Sequence, residues 1–110
     1  MLVQNKFNNG DIITIKLVTG EEVITRFIEE TTNTFIVNKP MVLVPTQKGN
    51  FGIMPLVFSG DINTNVPLQK TATIMVTIAK KEVASEYTKE VSGIKLASSL
   101  EGITNARSSS

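Results

Sequence analysis

The sequence predicts an all-β fold: a small, strongly bent, five-stranded antiparallel sheet or barrel with a C-terminal helix. Three observations carry this. Ile13, Ile15 and Leu17 alternate with Thr14 and Lys16, and a side-chain period of two sorts them into an apolar and a polar row, as in a half-buried strand. Four further segments rich in β-branched and aromatic residues follow before residue 80, separated by Gly, Pro, Asn and Ser, which is the spacing of short strands and turns. After Lys80 the apolar period lengthens to four, with Val83, Tyr87 and Val91 in line, as on one face of a helix.

Taken in order, residues 1–10 hold Leu2 and Phe7 and end in Asn8-Asn9-Gly10. They form either one helical turn or a loose arm pinned by its two apolar residues. The first strand runs over residues 11–18. Gly20 accepts positive φ without a Cβ clash, so Thr19-Gly20 is a natural reversal into a second strand over residues 23–28. A polar corner from Glu29 to Thr34 leads to the third strand, 35–44, whose Pro40 cannot donate to a ladder and belongs at a bend, bulge or edge. Turn residues 45–50 precede a fourth strand over 51–58, which contains Pro55, and a long polar connection over 59–67 follows. The fifth strand, 71–79, alternates Ile74, Val76 and Ile78 with Thr73, Met75 and Thr77. The helix from Lys80 spans about three turns, with Gly93 as its stop. It closes one end of the barrel or covers a neighbouring subunit. Residues 1–96 make one domain, and 97–110 form a Ser-rich tail.

Composition narrows the chemistry. The 110 residues suffice for one core, and a net charge of +1 with 19% charged residues provides no general basic field, so a nucleic-acid site must be local. Cysteine and histidine are both absent, which removes disulfides, thiolate nucleophiles, ordinary zinc sites and imidazole acid/base chemistry. No run approaches the roughly 18 apolar residues that span a bilayer, and no signal-peptide core follows Met1; a soluble cytoplasmic protein is expected.

The row Ile13-x-Ile15-x-Leu17-x-x-Gly20-x-x-Val23, with Phe27 beyond it, resembles the first motif of the Sm-like (Lsm and Hfq) RNA-binding proteins. It is also similar to small Sm-like proteins of phage and marine bacterial sequences. The resemblance implies an SH3-type barrel and a closed homo-oligomeric ring of about five to seven subunits, in which the fourth strand of one subunit pairs with the fifth of the next. It further implies single-stranded RNA bound at two pore-lining loops, after the second and fourth strands. On this chain the candidate RNA-binding residues are Asn33, Thr34 and Phe35 in the first loop, and Ser59 and Gly60 in the second. The chain departs from the pattern where bases are read. Thr31 holds the usual Asp position, Asn33 the stacking position and Phe35 the Asn position, while Ser59 stands where the Arg of an Arg-Gly pair is expected. The rows that specify the fold are kept and the uridine-reading groups are largely replaced.

Phe35 and Asn33 can still supply a stacking platform and an edge contact. The competing reading makes Phe35 a core residue that starts a strand and Asn33 a turn former. Lys39, Lys70, Lys80 and Lys81 are candidate phosphate contacts or simply solvated surface. Ile53 and Val57, with Met54, Leu56 and Phe58, put apolar groups on both faces of the fourth strand. The second and third strands show the same doubling, so the surplus face must be covered by the helix, by loops or by another copy.

Other chemistry is weak. Asp61-x-Asn63-x-Asn65 spells the first half of a calcium loop, yet Val66 stands where Gly is needed and Ala72 where the closing Glu belongs. Gly49-Asn50-Phe51-Gly52 reads as a turn between strands rather than a clamp between helices. Glu21-Glu22 and Glu29-Glu30 are neighbours that point to opposite faces of a strand and make no dyad. The expectation is a non-enzymatic protein without metal or cofactor, either an RNA-binding ring or a protein-interaction ring that has lost RNA binding.

Overall fold

The structure, a computed structural model, describes residues 7–97, and the side chains of residues 7–92. The alternative readings of residues 1–6 and the Ser-rich tail from residue 98 onward lie outside these. Six strands form one antiparallel sheet: β1 Ile12–Leu17, β2 Glu22–Glu30, β3 Thr34–Pro45, β4 Phe51–Pro55, β5 Asn65–Gln69 and β6 Thr73–Ile78. A short 3-10 turn, Lys70–Ala72, joins β5 to β6, and one helix, α1 Lys81–Ala97, follows. The strand order is β4-β3-β2-β1-β6, with β5 also paired to β3. The sheet is open and not strongly curled. Residues 7–80 and the helix that follows form two separate compact units.

The alternation in β1 has the expected effect. Ile13, Ile15 and Leu17 are buried and join Phe7, Val23, Phe27, Phe35 and Val37 in one apolar cluster, with Leu56, Val66, Leu68 and Val76 packed against it. The β1–β2 reversal is a tight one: Gly20 takes φ 109° and its N–H bonds to the Leu17 carbonyl at 2.9 Å, a backbone region that a side chain makes costly. The doubled apolar faces also materialise, since Val23 and its neighbour Ile24 are both fully buried, Ile24 opposite the buried Met41 of β3.

The bend in β3 falls at Lys39-Pro40. Lys39 has φ 52°, left-handed backbone for a residue with a Cβ, a conformation that costs about 1–2 kcal/mol and marks a forced change of direction. On one side of this point residues 34–38 pair with β5; on the other, residues 41–45 pair with β4. The peptide groups released by the bend are used: the Lys39 N–H donates to the Ile62 carbonyl at 2.9 Å, and the Pro40 carbonyl accepts from the Leu56 N–H at 3.0 Å. On the β2 side the ladder register shifts at the same place, and the fully buried Thr25 hydroxyl donates to the Asn38 carbonyl at 2.8 Å. Taking a donor away from a part-buried carbonyl carries a desolvation penalty. Thr25→Val, nearly isosteric, is therefore expected to lower stability by about 1–3 kcal/mol; urea denaturation checks this, and an unchanged midpoint would remove the bond from the account.

Several expected boundaries shift. The sheet has six strands instead of five, because the segment 59–67, expected as a polar connection, delivers β5 at its end. Val66 and Leu68 alternate there, half-buried, between exposed Asn65, Pro67 and Gln69. The fourth strand stops at Pro55 rather than Phe58, and Val57 and Phe58 beyond it are exposed. The last strand starts at Thr73, since Thr71 and Ala72 belong to the 3-10 turn. The helix runs through Gly93 to Ala97; an interior glycine costs only about 1 kcal/mol relative to alanine, so it need not end a helix. Along α1, Val83 is half-buried and Tyr87 and Val91 are buried, the four-residue spacing read from the sequence.

The prolines of the edge strands have a common orientation. The Leu56 N–H meets the Pro40 carbonyl and the Lys70 N–H meets the Asn33 carbonyl. In an antiparallel ladder the inward N–H groups recur at every second residue. Pro55 and Pro67 therefore fall on positions whose missing N–H faces away from β3, where they break no bond of the sheet.

Candidate nucleic-acid interface

Asn33, Thr34 and Phe35 lie where β2 turns into β3. Thr31 builds this turn: its N–H donates to the Thr34 carbonyl at 2.9 Å, the Thr34 N–H donates to the Thr31 hydroxyl at 3.0 Å, and the two hydroxyls are 2.6 Å apart. A hydroxyl that caps its own turn fixes the corner in one shape. Asn33 is exposed at its tip, Thr34 half-buried and Phe35 only 8% exposed as a member of the core cluster.

The neighbour of this turn is the end of β5. Thr34 pairs with Gln69 and Phe35 with Leu68, and the Lys70 N–H donates to the Asn33 carbonyl at 2.9 Å. Lys70 then folds back over the turn. Its ammonium is 2.6 Å from Glu30 Oε2 and 5.3 Å from the centroid of the Phe35 ring, so one cation satisfies a carboxylate and covers an aromatic face at once. Phe35 is thus closed above by a lysine as well as below by the core. Glu30 also borders an open groove of about 390 Å³ lined by Phe7, Asn8, Asn9, Phe27 and Glu29 among others.

Ser59 and Gly60 stand apart from this cluster. They are exposed in the loop between β4 and β5, and that loop is fastened to the middle of β3. Besides the Lys39 bond to Ile62, the Asn38 side-chain amide donates to the Asn63 carbonyl and to Asn65 Oδ1, both at 3.1 Å. Asp61 Oδ1 accepts from the Asn63 N–H at 3.0 Å, a local turn bond that occupies the carboxylate of the half-matched calcium loop. From Thr34 to Asn38 the strand advances by about 13 Å. The two candidate loops therefore attach to β3 at separate points, and within one chain the structure gathers Asn33, Thr34 and Phe35 with Gln69, Lys70 and Glu30 rather than with Ser59 and Gly60.

Of the four lysines singled out, Lys70 reaches the first loop, Lys39 is half-buried at the bend of β3 with its ammonium donating to Asn38 Oδ1 at 3.2 Å, and Lys80 and Lys81 are exposed. Glu30 is the partner that sequence reasoning missed, because it lies 40 positions from Lys70 and no spacing rule links them. Among the described residues no cluster of three or more acidic side chains is placed to hold a metal ion, and no helix is long and apolar enough to cross a membrane. The carboxyl of Glu21, in the β1–β2 turn, is held below the usual glutamate range by the Thr19 hydroxyl beside it. It lies outside the candidate interface. No family model matches the chain, and no curated protein matches it either.

Proposed function

We propose that this chain is a non-enzymatic Sm-like barrel protein that joins copies of itself edge to edge into a ring of about five to seven subunits, and binds single-stranded RNA at the turn before β3. The observation that carries the reading is the pair of sheet ends. β4 and β6 end the strand order, and among the described residues neither has a strand on its outer side; β5, paired to β3 alone, is a third open edge and lacks their exposed large apolar side chains. β4 and β6 are rich in these: Phe51 and Met54 on β4, with Val57 and Phe58 just beyond, and Ile74, Met75 and Ile78 on β6. Unpaired ladder groups flanked by exposed apolar side chains invite another strand. The two ends are different strands, so β4 of one copy can pair with β6 of the next, and a head-to-tail contact that repeats by rotation closes into a ring. Assembly would also answer the separation of the two loops, since the residues gathered around a common axis then come from several subunits.

A second reading has its own support. Phe35 is buried beneath Lys70, and Lys70 is neutralised by Glu30, which favours an interaction ring without RNA binding. Two measurements decide. Solution mass is expected at about five to seven times the 12.0 kDa of one chain. Titration of labelled oligo-U and oligo-A at two salt concentrations is expected to show salt-sensitive binding. A monomer sinks the ring; an assembly that ignores both oligonucleotides leaves the second reading in its place.

A further inference from the structure

We infer that the Glu30–Lys70 ion pair is an autoinhibitory latch on the RNA site, which a backbone phosphate opens by taking Lys70 away from Glu30 and off the ring of Phe35. This rests on the RNA-binding reading and assigns that site a regulating contact. Lys70 is the cation of the cluster, and both of its occupations are exchangeable. The side chains of Lys70 and Glu30 are 30% and 38% exposed, and a solvent-accessible pair of this kind is weak enough for a competing anion to displace. The ammonium sits 5.3 Å above a phenyl ring that is otherwise enclosed, so its departure bares one aromatic face and nothing else.

The backbone is arranged so that the side chain can leave alone. The Lys70 N–H stays bonded to Asn33 and the ladder from Thr34 to Gln69 stays paired. A swing of the lysine leaves the turn's shape intact, with the Asn33 side chain exposed at its rim. A nucleotide arriving there meets three things together: an ammonium for its phosphate, a ring for its base and an amide for a base edge. Glu30 opposes all three in the closed form, by occupying the ammonium, by holding it over the ring and by presenting a negative charge to the strand. Its neighbour Glu29 is part of the same groove wall. The latch therefore admits only a ligand with enough phosphate charge to compete, which favours an extended oligonucleotide over a free nucleoside.

The test is Glu30→Gln in the full chain, which keeps the side-chain shape and removes the competing charge. Fluorescence anisotropy with labelled oligo-U and oligo-A is expected to show affinity raised roughly three- to tenfold over the unsubstituted protein at low salt. The slope of log affinity against log salt should steepen by about 0.7, one freed phosphate contact on a single strand. The double variant Glu30→Gln/Lys70→Gln should lose the gain, with the melting temperature showing that both remain folded. Binding that appears only in Glu30→Gln supports the latch equally. Binding by the unsubstituted protein that is unchanged or weaker in Glu30→Gln overturns the latch and leaves the RNA site standing. Absence of binding in both overturns the latch and the RNA reading with it.

Discussion

Ile78→Pro is expected to reduce the proposed ring to single chains while leaving each chain folded. The Ala79 N–H donates to the Ile12 carbonyl at 3.1 Å, and inward N–H groups in an antiparallel ladder recur at alternate residues. The Ile78 N–H therefore faces outward, away from β1. Proline there removes a donor that the sheet does not use, and Thr77 before it is already extended, as a residue preceding proline prefers to be. The Ile78 side chain is 51% exposed, so little core packing is lost within one subunit. An incoming strand loses both a ladder bond and the flat approach that the unsubstituted edge allows. Light scattering or sedimentation should show the drop in mass, and a thermal melt should show retained cooperativity. A ring of unaltered mass would mean that the subunits meet somewhere other than β6.

The other large effect is expected inside the subunit. Ile15 is fully buried at the centre of β1, opposite Val23 of β2 and Val76 of β6, so it joins three strands through one side chain. Ile15→Ala removes three buried carbons and leaves a cavity between rigid strands that cannot collapse into it, a loss of about 3–4 kcal/mol. Against a total stability of roughly 5–15 kcal/mol this leaves a thin margin. Urea unfolding should show the midpoint shift with little change of slope. A loss under about 1 kcal/mol would show that the cluster is loosely packed around β1.

Strong local patterns were readable from the residues alone. β1 follows its alternation and α1 its four-residue spacing, because burial there acts on a period the chain carries itself; β2 and β3 bury residues on both faces as their doubled apolar pattern implies, while β6 forms where its alternation put it although Ile74 and Ile78 are exposed. β5 was missed because its two apolar residues are separated by Pro67 and bracketed by asparagine and glutamine; it pairs with the half of β3 that precedes the left-handed turn at Lys39, and β4 with the half that follows. Pro40 announces a bend, bulge or edge at this point, but nothing announces the positive φ of Lys39, since lysine has no special liking for that region. The placement of Asn33 and Phe35 shows both sides of the same limit. Residue type allowed Phe35 to be a stacking platform or a core residue, and the structure makes it a core residue with a lysine for a roof. That roof and the Glu30 holding it come from chain segments brought together only by the fold.

Pro55 has an effect on the unassembled chain as well. The stretch Phe51-Gly-Ile-Met-Pro-Leu-Val-Phe58 is apolar almost throughout, and with a valine or isoleucine at its centre it would have the makings of a fibril spine, in which every backbone donor bonds to the next copy. A proline whose absent N–H faces outward leaves a gap on the surface such a copy would have to match. Any strand that adds to this edge, in a fibril or in the proposed ring, therefore forgoes one ladder bond at Pro55.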